Sequence, residues 1–334
     1  MYKRQNLGLL YVQGQGVERD DLAAAMLFEA AADQGFAPAQ TNLAVLHLTG
    51  RGVEIDDEIA HALLESAAAQ GDVHAQALLA AARDAGLEGR LDQAIATHWH
   101  RQAADAGSAS AQHRLGAMFE VGNGVEQSDR EAARLYRMAA EAGHGPAHNN
   151  LGLMYVEGRG VEHDFEAARR HFRAAAEQGI ASSQFALGWT YATGRGTEVD
   201  DVEAARWFRL AADQDLAVAQ LDLALLYLRG SGVAQNDAEA ARLLTSAAEQ
   251  GYWRAQVKLG SMYEFARGVD QDLVTACMWY RLAAQQRNGA DSAYYERLEM
   301  TMASQDIREA IRRAATWSPT DAPTFPAYTR VIQH

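Results

Sequence analysis

The sequence predicts an all-α protein, an α-solenoid of about eight 36-residue helix-turn-helix repeats with a C-terminal capping helix. Three recurring features within its 334 residues indicate this fold. One leucine returns every 36 residues, a glycine-rich turn follows it, and alanines on a helical period follow the turn. The leucines are Leu7, Leu43, Leu79, Leu115, Leu151, Leu187, Leu223 and Leu259.

The first helix of each repeat is predicted by an apolar stripe around this leucine. In the second repeat, Ala39, Leu43, Leu46 and His47 lie at positions i, i+4, i+7 and i+8, which share one face of a helix. The next residue after the leucine is always glycine or alanine. Because a mid-helix glycine costs about 1 kcal/mol relative to alanine, its recurrence indicates close helix packing.

A Gly-x-Gly-Val turn and a second helix complete the unit. Glycine just past a helix end supplies the positive φ that terminates the helix. A second helix is then predicted to begin at an N-cap residue. The N-cap candidates are Asp20, Asp56, Asp92, Ser128, Asp164, Asp200, Asn236 and Asp272. In the fifth repeat Ala168, Phe172, Ala175 and Ala176 follow on one face, small residues beside a large one.

The repeats are predicted to occupy residues 1–292, with the first copy truncated at its start. Residues 293–317 are predicted to form capping helices, on which Ile307, Ala310, Ile311 and Ala314 share a face. Residues 318–334 form a proline-containing tail that we expect to be extended or disordered. Three copies depart from the pattern: the turn at 86–89 has another sequence, and Asp215 and Arg287 replace the glycine after a second helix.

Composition narrows the classes of function. The formal net charge of −14 disfavours a nucleic-acid partner, because an acidic surface repels phosphates. No apolar run is long enough to predict a membrane-spanning helix. Cys277 is the only cysteine, so an intrachain disulfide is excluded. The compartment is left open between cytoplasm and periplasm, since a truncated start would also remove a signal peptide.

These motifs together resemble the Sel-one-like repeat (SLR) family, a bacterial-type branch of the tetratricopeptide-like superfamily. Leu151-Gly152, Tyr155, Gly158-Arg159-Gly160-Val161 and Asp164 carry the resemblance, which extends over about residues 5–290. It implies a right-handed superhelix of paired helices. It also implies an adaptor or scaffold that holds partner proteins.

No catalytic, metal-binding or cofactor-binding residues are predicted. The Gly-x-Gly turns recur from repeat to repeat and lack the strand that precedes a phosphate-binding loop, so we interpret them as structural. His98 and His100 are two apart and face different directions, and no His-Glu-x-x-His motif or cysteine pair supports a zinc site. Cys277 is interpreted as a packing residue.

The positions that vary between the recurring ones are the candidate partner-binding residues. By analogy with tetratricopeptide packing, the inner groove is lined by residues one and two before the repeat leucine and two after it. These positions mix amides, charges and aromatics, which suits peptide recognition. The candidates are Asn42, His113, Arg114, Asn149, Asn150, Trp189, Asp222 and Lys258.

The sequence therefore favours a non-enzymatic scaffold that binds a peptide or partner protein in a concave groove. A hydrolase acting on β-lactams or the cell wall is an alternative taken from cysteine-rich relatives, although their repeat cysteine pairs are missing here. A second alternative is a structural module of a secretion or exopolysaccharide assembly.

Overall fold

Every regular element in the computed structural model is an α-helix. The structure describes residues 2–14, 16–84, 97, 100–101, 104–105, 107–287 and 289–319, and within them there is no β-strand. The helices alternate with the turns predicted from the repeat pattern. This arrangement confirms the all-α repeat fold.

The helices follow the predicted order of first helix, turn and second helix. The first helices are α1 (Tyr2–Gln13), α3 (Ala37–Thr49), α5 (Val73–Asp84), α6 (Ala109–Val121), α8 (Gly145–Glu157), α10 (Ala181–Thr193), α12 (Ala217–Arg229) and α14 (Trp253–Glu264). The second helices are α2 (Asp21–Ala32), α4 (Asp57–Ala69), α7 (Asp129–Glu141), α9 (Phe165–Ala176), α11 (Asp201–Ala212), α13 (Asp237–Glu249) and α15 (Leu273–Gln286). Two terminal helices follow, α16 (Ser292–Glu299) and α17 (Ser304–Thr316).

The chain divides into two compact units. Unit 1 comprises residues 1–147 and 159–161, and unit 2 comprises residues 148–158 and 162–334. Within unit 2, α9 to α15 pack each on the next in chain order. Within unit 1, α1 to α5 do the same, and α6 packs on α7. Each repeat thus contacts its sequence neighbours, as expected for a solenoid.

Side-chain caps begin the second helices as predicted. In each described case an oxygen of the cap accepts a hydrogen bond from a backbone N–H two or three residues later, which satisfies a donor that the helix leaves free. The confirmed caps are Asp20, Asp56, Ser128, Asp164, Asp200, Asn236 and Asp272. Asp92 lies outside the described residues.

The backbone of the same cap residues ties the two helices of a repeat together. The Asp200 N–H donates to the Tyr191 carbonyl at 3.0 Å, and the Asn236 N–H donates to the Tyr227 carbonyl at 3.1 Å. One residue therefore starts the second helix and fixes the end of the first.

The first glycine of the turn ends the first helix. Gly194 and Gly230 are C-caps in the left-handed conformation, with φ of 71° and 70°. Ala266 replaces this glycine in the last repeat and still adopts a φ of 54°. A left-handed conformation costs an L-residue roughly 1–2 kcal/mol.

The second glycine joins one repeat to the one before it. A Cβ atom on Gly232 would lie 2.0 Å from the Asp201 carbonyl oxygen, and one on Gly160 would lie 2.1 Å from the Asp129 carbonyl oxygen. Asp201 and Asp129 are the first residues of α11 and α7. The turn therefore packs directly on the start of the preceding second helix, at a distance that only glycine permits.

The arginine between the two glycines strengthens this contact in several repeats. Arg51 forms two hydrogen bonds with the Asp21 carboxylate, at 3.0 Å and 2.6 Å. Arg267 forms the equivalent pair with Asp237, at 3.2 Å and 3.0 Å. Bidentate pairs of this kind fix geometry as well as adding energy.

The small residue after the repeat leucine receives an aromatic ring. A Cβ atom on Gly152 would lie 2.6 Å from the ring of Phe172, which is fully buried. Gly188 has the same relation to Phe208. The close helix packing predicted from the recurring glycine is confirmed at these positions.

Buried glutamines connect three successive helices. Gln256 is 0% exposed; its Nε2 donates to the Ala248 carbonyl at 3.2 Å, and its Oε1 accepts from the Gln286 Nε2 at 3.2 Å. Gln220 makes the equivalent two contacts: its Nε2 donates to the Ala212 carbonyl, and its Oε1 accepts from the Gln250 Nε2 at 3.0 Å. Because a buried polar group without a partner is costly, each glutamine needs both neighbours.

One member of this series lacks its donor. Gln112 is buried and donates to the Ala104 carbonyl at 3.1 Å, but its Oε1 has no partner among the described residues. The residue 30 positions after Gln112 is Ala142, which has no side-chain donor. The residue 30 positions after Gln40 is Gln70, whose Nε2 donates to the Gln40 Oε1 at 2.8 Å. Ala142 and Gln70 are both C-cap residues with φ of −83°.

The terminal helices α16 and α17 both pack on α15. Ala310 and Ala314 of α17 are buried, and the ring of Trp317 lies edge-on to that of Trp279, with centroids 6.0 Å apart. Ile311 is 43% exposed, so the buried face of α17 is narrower than predicted. Residues 320–334 of the predicted tail lie outside the described residues.

The irregular copies have different solutions. Asp215 replaces the glycine that follows a second helix, and it adopts the left-handed conformation itself, with a φ of 59°. Arg287 keeps an ordinary φ of −106°, and Gly289 two residues later supplies the positive φ. The turn at 86–89 lies outside the described residues.

The contact made by the second glycine can be tested with Gly232→Ala. We expect it to lower the free energy of unfolding by more than 2 kcal/mol, roughly the left-handed cost plus the clash with the Asp201 carbonyl. Gly179→Ala is the matched control. Gly179 also has a positive φ, of +86°, but a Cβ atom added to it would have no other atom within 4 Å. Equal losses in urea unfolding would show that the contact contributes nothing.

The unpaired Gln112 oxygen predicts that Ala142→Gln stabilises the protein by about 1 kcal/mol, because a donor then reaches a buried acceptor. The measurement is the urea midpoint of purified protein. Ala142→Met is the control, since it has similar length and no donor. A gain equal to that of the methionine variant would contradict the hydrogen-bond explanation.

Candidate functional site

The row immediately before the repeat leucine lies largely at the surface of the first helices. Asn6, Arg114 and Lys258 are exposed, and Asn42, Asn150 and Asp222 are half-buried. The two apolar members, Leu78 and Ala186, are buried. Five of the eight candidate residues are therefore placed where a partner could contact them.

The row two residues before the leucine lies deeper. Asn149 is buried, and its Oδ1 accepts from the hydroxyl of Ser183 at 2.7 Å and from that of Ser182 at 3.2 Å. Its Nδ2 donates to the Asn150 Oδ1 at 3.3 Å. Asn149 thus links α8 to α10 and positions Asn150, which is the accessible member of the pair.

Trp189 differs from the exposed side chain expected from the sequence. It is only 7% exposed, and the Arg195 guanidinium lies 5.0 Å from its ring centroid and 5.2 Å from that of Phe165. Arg195 occupies the turn position from which Arg51 reaches Asp21, but the first residue of α9 is Phe165 instead of an aspartate. Arg195 therefore covers the two rings, and Trp189 is part of the packing.

His113 is half-buried in unit 1 and packs among rings. Its centroid lies 5.0 Å from that of His144 and 5.5 Å from that of Tyr136. Burial, helped by the nearby His144 and Arg114 and opposed by Glu120, lowers the pKa of His113 to about 4. His113 is thus neutral near pH 7.

Asp222 on α12 is the most unusual residue of the candidate set. Its carboxylate is half-buried and has no hydrogen bond or ion pair within the described part of the chain. Burial raises the pKa of Asp222 to about 7, although Arg254 and Arg229 act in the opposite direction. A half-buried carboxylate without a hydrogen bond or ion pair lowers the stability of the folded protein. Residues that lower stability in this way are typical of functional sites.

Two arginines that sequence reasoning missed therefore belong to the same surface. Arg229 lies seven residues after Asp222 on α12, and Arg254 lies four residues before Lys258 on α14. Spacings of four and seven place residues on one helix face, so the pattern was visible in the sequence. The sequence pattern did not show that α14 brings Arg254 near Asp222.

The remaining chemistry of the chain fits structural roles. Burial raises the pKa of the Cys277 thiol to about 11, and the Glu299 carboxylate 3.3 Å from its Sγ acts in the same direction. A nucleophilic cysteine needs the opposite shift. Two histidines, His148 and His171, contact each other through their Nδ1 atoms at 2.9 Å. No group of three or more potential metal ligands occurs among the residues described.

None of the helices that the structure describes combines the length and apolar composition needed to cross a bilayer.

Comparisons with protein families and with solved structures both find proteins built from the same repeat. A family model described as "Sel1 repeat" matches eight consecutive segments, 5–36, 37–72, 73–108, 109–144, 145–180, 181–216, 217–252 and 253–288. Members of such repeat families are generally protein-interaction scaffolds.

A Sel1 repeat protein from Oxalobacter formigenes is 27% identical, with a TM-score of 0.59 over 72% of this chain and 98% of that one. A protective antigen of uropathogenic Escherichia coli with an SLR fold is 25% identical, with a TM-score of 0.47 over 97% of this chain and 88% of that one. No curated protein matches the chain.

The raised pKa of Asp222 predicts a pH-dependent effect of Asp222→Asn on stability. Below the unfolded-state pKa near 4 the carboxyl is neutral in both states, so the variant should match the wild type. Between about pH 4 and pH 7 the unfolded carboxyl ionises while the folded one keeps its proton, so the wild type loses stability relative to the variant; above pH 7 the carboxyl is ionised in both states and the difference stays constant. Urea unfolding at pH 4.5 and pH 8 measures this.

The exposed Asp270 provides the control, as Asp270→Asn. A stability gain for Asp222→Asn that does not grow between the two pH values would contradict the assigned burial effect.

Proposed function

We propose that this chain, which belongs to the Sel1 repeat family, is a scaffold that binds a partner protein or peptide on the surface of its first helices. This is the surface that we expected to form a concave groove. The partner would lie across the residues that precede the repeat leucines. Non-enzymatic scaffolding is typical of the family.

The observation that supports the proposal is the unpaired, half-buried Asp222 carboxylate on α12. Folding alone gives no reason to keep a charge there, because its burial opposes stability and the attraction of Arg254 and Arg229 offsets only part of the cost. The cations that interact with this carboxylate, Arg254 and Arg229, form no ion pair among the described residues, so a ligand of this surface could contact them. Proteins commonly retain such costs at binding sites.

The exposure of each candidate side chain decides which residues we propose as contacts. Asn150, Asp222 and Lys258 in unit 2, and Asn42 and Arg114 in unit 1, are accessible and are retained as contact residues. Asn149 is assigned a positioning role through its contacts with Asn150 and the two serines. Trp189 and His113 are assigned to packing.

The hydrolase alternative has no support from the described residues. Cys277 is buried and held as a thiol, the reverse of an activated nucleophile. A place in a secretion or exopolysaccharide assembly is one setting for the same binding activity, and it stays a prediction.

The binding surface can be tested by mapping a partner obtained by affinity purification or two-hybrid selection. Hydrogen exchange of the complex should show protection in α8, α10, α12 and α14. Asn150→Ala combined with Lys258→Ala should weaken capture by about tenfold, while circular dichroism stays unchanged, because both side chains are at the surface.

Arg170→Ala combined with Arg206→Ala is the control, since both arginines are exposed on second helices. Protection confined to α9, α11 and α13, or an equal loss of binding in the control variant, would overturn the proposal.

A further inference from the structure

Arg229 and Arg254 interact electrostatically with Asp222, and Lys258 occupies the position equivalent to Asp222 in the next repeat. We call Arg229, Arg254 and Lys258 the basic patch. Among the residues that the structure describes, none of the three forms an ion pair or hydrogen bond through its charged group. Arg254 lies 5.3 Å from the Trp253 ring centroid, and Arg229 and Lys258 are exposed.

Other arginines of unit 2 form ion pairs with nearby carboxylates. Arg242 pairs with Glu239 at 2.7 Å, Arg206 pairs with Glu203 at 3.3 Å, and both pairs lie on second helices. The chain as a whole carries a formal net charge of −14. A group of cations left unpaired on an otherwise acidic protein is a local positive site, and it needs a separate explanation.

The repeat register places these residues on equivalent positions. Lys258 follows Asp222 by one repeat, and Phe265 follows Arg229 by one repeat. Phe265 ends α14 and is 60% exposed. Arginine and aromatic residues provide most of the energy at many binding surfaces, and both types occur here at the exposed ends of successive first helices.

We propose that the basic patch binds an acidic segment of the partner, rich in aspartate or glutamate. The inference rests on the proposed scaffold function and names the chemistry of the ligand. Charge complementarity selects this occupant: a segment of carboxylates would pair with Arg229, Arg254 and Lys258, which form no ion pair among the described residues.

Asp222 has a defined part in this recognition. Its charge attracts both Arg254 and Arg229, which favours keeping the two arginines near it in the free protein. It also repels a second carboxylate, which limits how tightly an acidic segment is held. Removing its charge should therefore strengthen binding, whereas reversing the charge of the patch should weaken it.

The test uses a labelled peptide of glutamate and glycine, with peptides in which lysine or glutamine replaces glutamate as comparisons. Fluorescence anisotropy with the full chain should show binding of the glutamate peptide only. Binding should weaken with added salt, because exposed charges are screened. Arg254→Glu combined with Lys258→Glu should lower the affinity by about tenfold or more, and Asp222→Asn should raise it several-fold.

Arg308→Glu controls for the change in total charge, because Arg308 is exposed on α17 and outside the patch. It should bind close to the wild-type affinity. The proposal is overturned if Arg308→Glu weakens binding as much as a single Lys258→Glu change. It is also overturned if the lysine peptide binds instead, if the glutamate peptide does not bind, or if single-stranded DNA binds the patch more tightly than the peptide.

The two proposals fail separately. If a captured partner protects the first helices but patch reversal leaves its affinity unchanged, the acidic-segment inference is wrong and the scaffold surface stands. If the partner protects only the second helices, the scaffold surface itself is wrong.

Discussion

The rest of this fold depends on the contact between a turn glycine and the preceding second helix. Gly232 lies so close to the Asp201 carbonyl that a methyl group does not fit, and the same contact joins Gly160 to Asp129. Because it recurs at Gly52, Gly196 and Gly268, the successive hairpins that it joins meet at a fixed distance. That spacing keeps the leucine, alanine and aromatic positions in step along each unit.

A regular frame also determines where variation is possible. Gln220 and Gln256 bond to helices on both sides and leave little freedom at their own positions. The residue two places after each of these glutamines forms no side-chain hydrogen bond among the described residues. Asp222 and Lys258 occupy these positions, so a binding surface can change without disturbing the packing.

The regular elements could be predicted because each is encoded locally. The cap at Asp200 needs only the N–H groups that follow it, and the left-handed glycine at Gly194 needs only its own φ. Ile311 illustrates the limit: its spacing matched the apolar face of α17, but the side chain lies at the edge of the contact with α15 and stays 43% exposed.

The sequence by itself determined the repeat length, the helices, the caps and the turns, since these follow from spacing and from the conformational preferences of single residues. Only the tertiary structure decided which varying residues are accessible. It buried Trp189 under Arg195, because Phe165 comes from the neighbouring repeat, and it left the cations near Asp222 unpaired. Burial and charge pairing depend on residues some 30 positions away, and a local pattern does not contain that information.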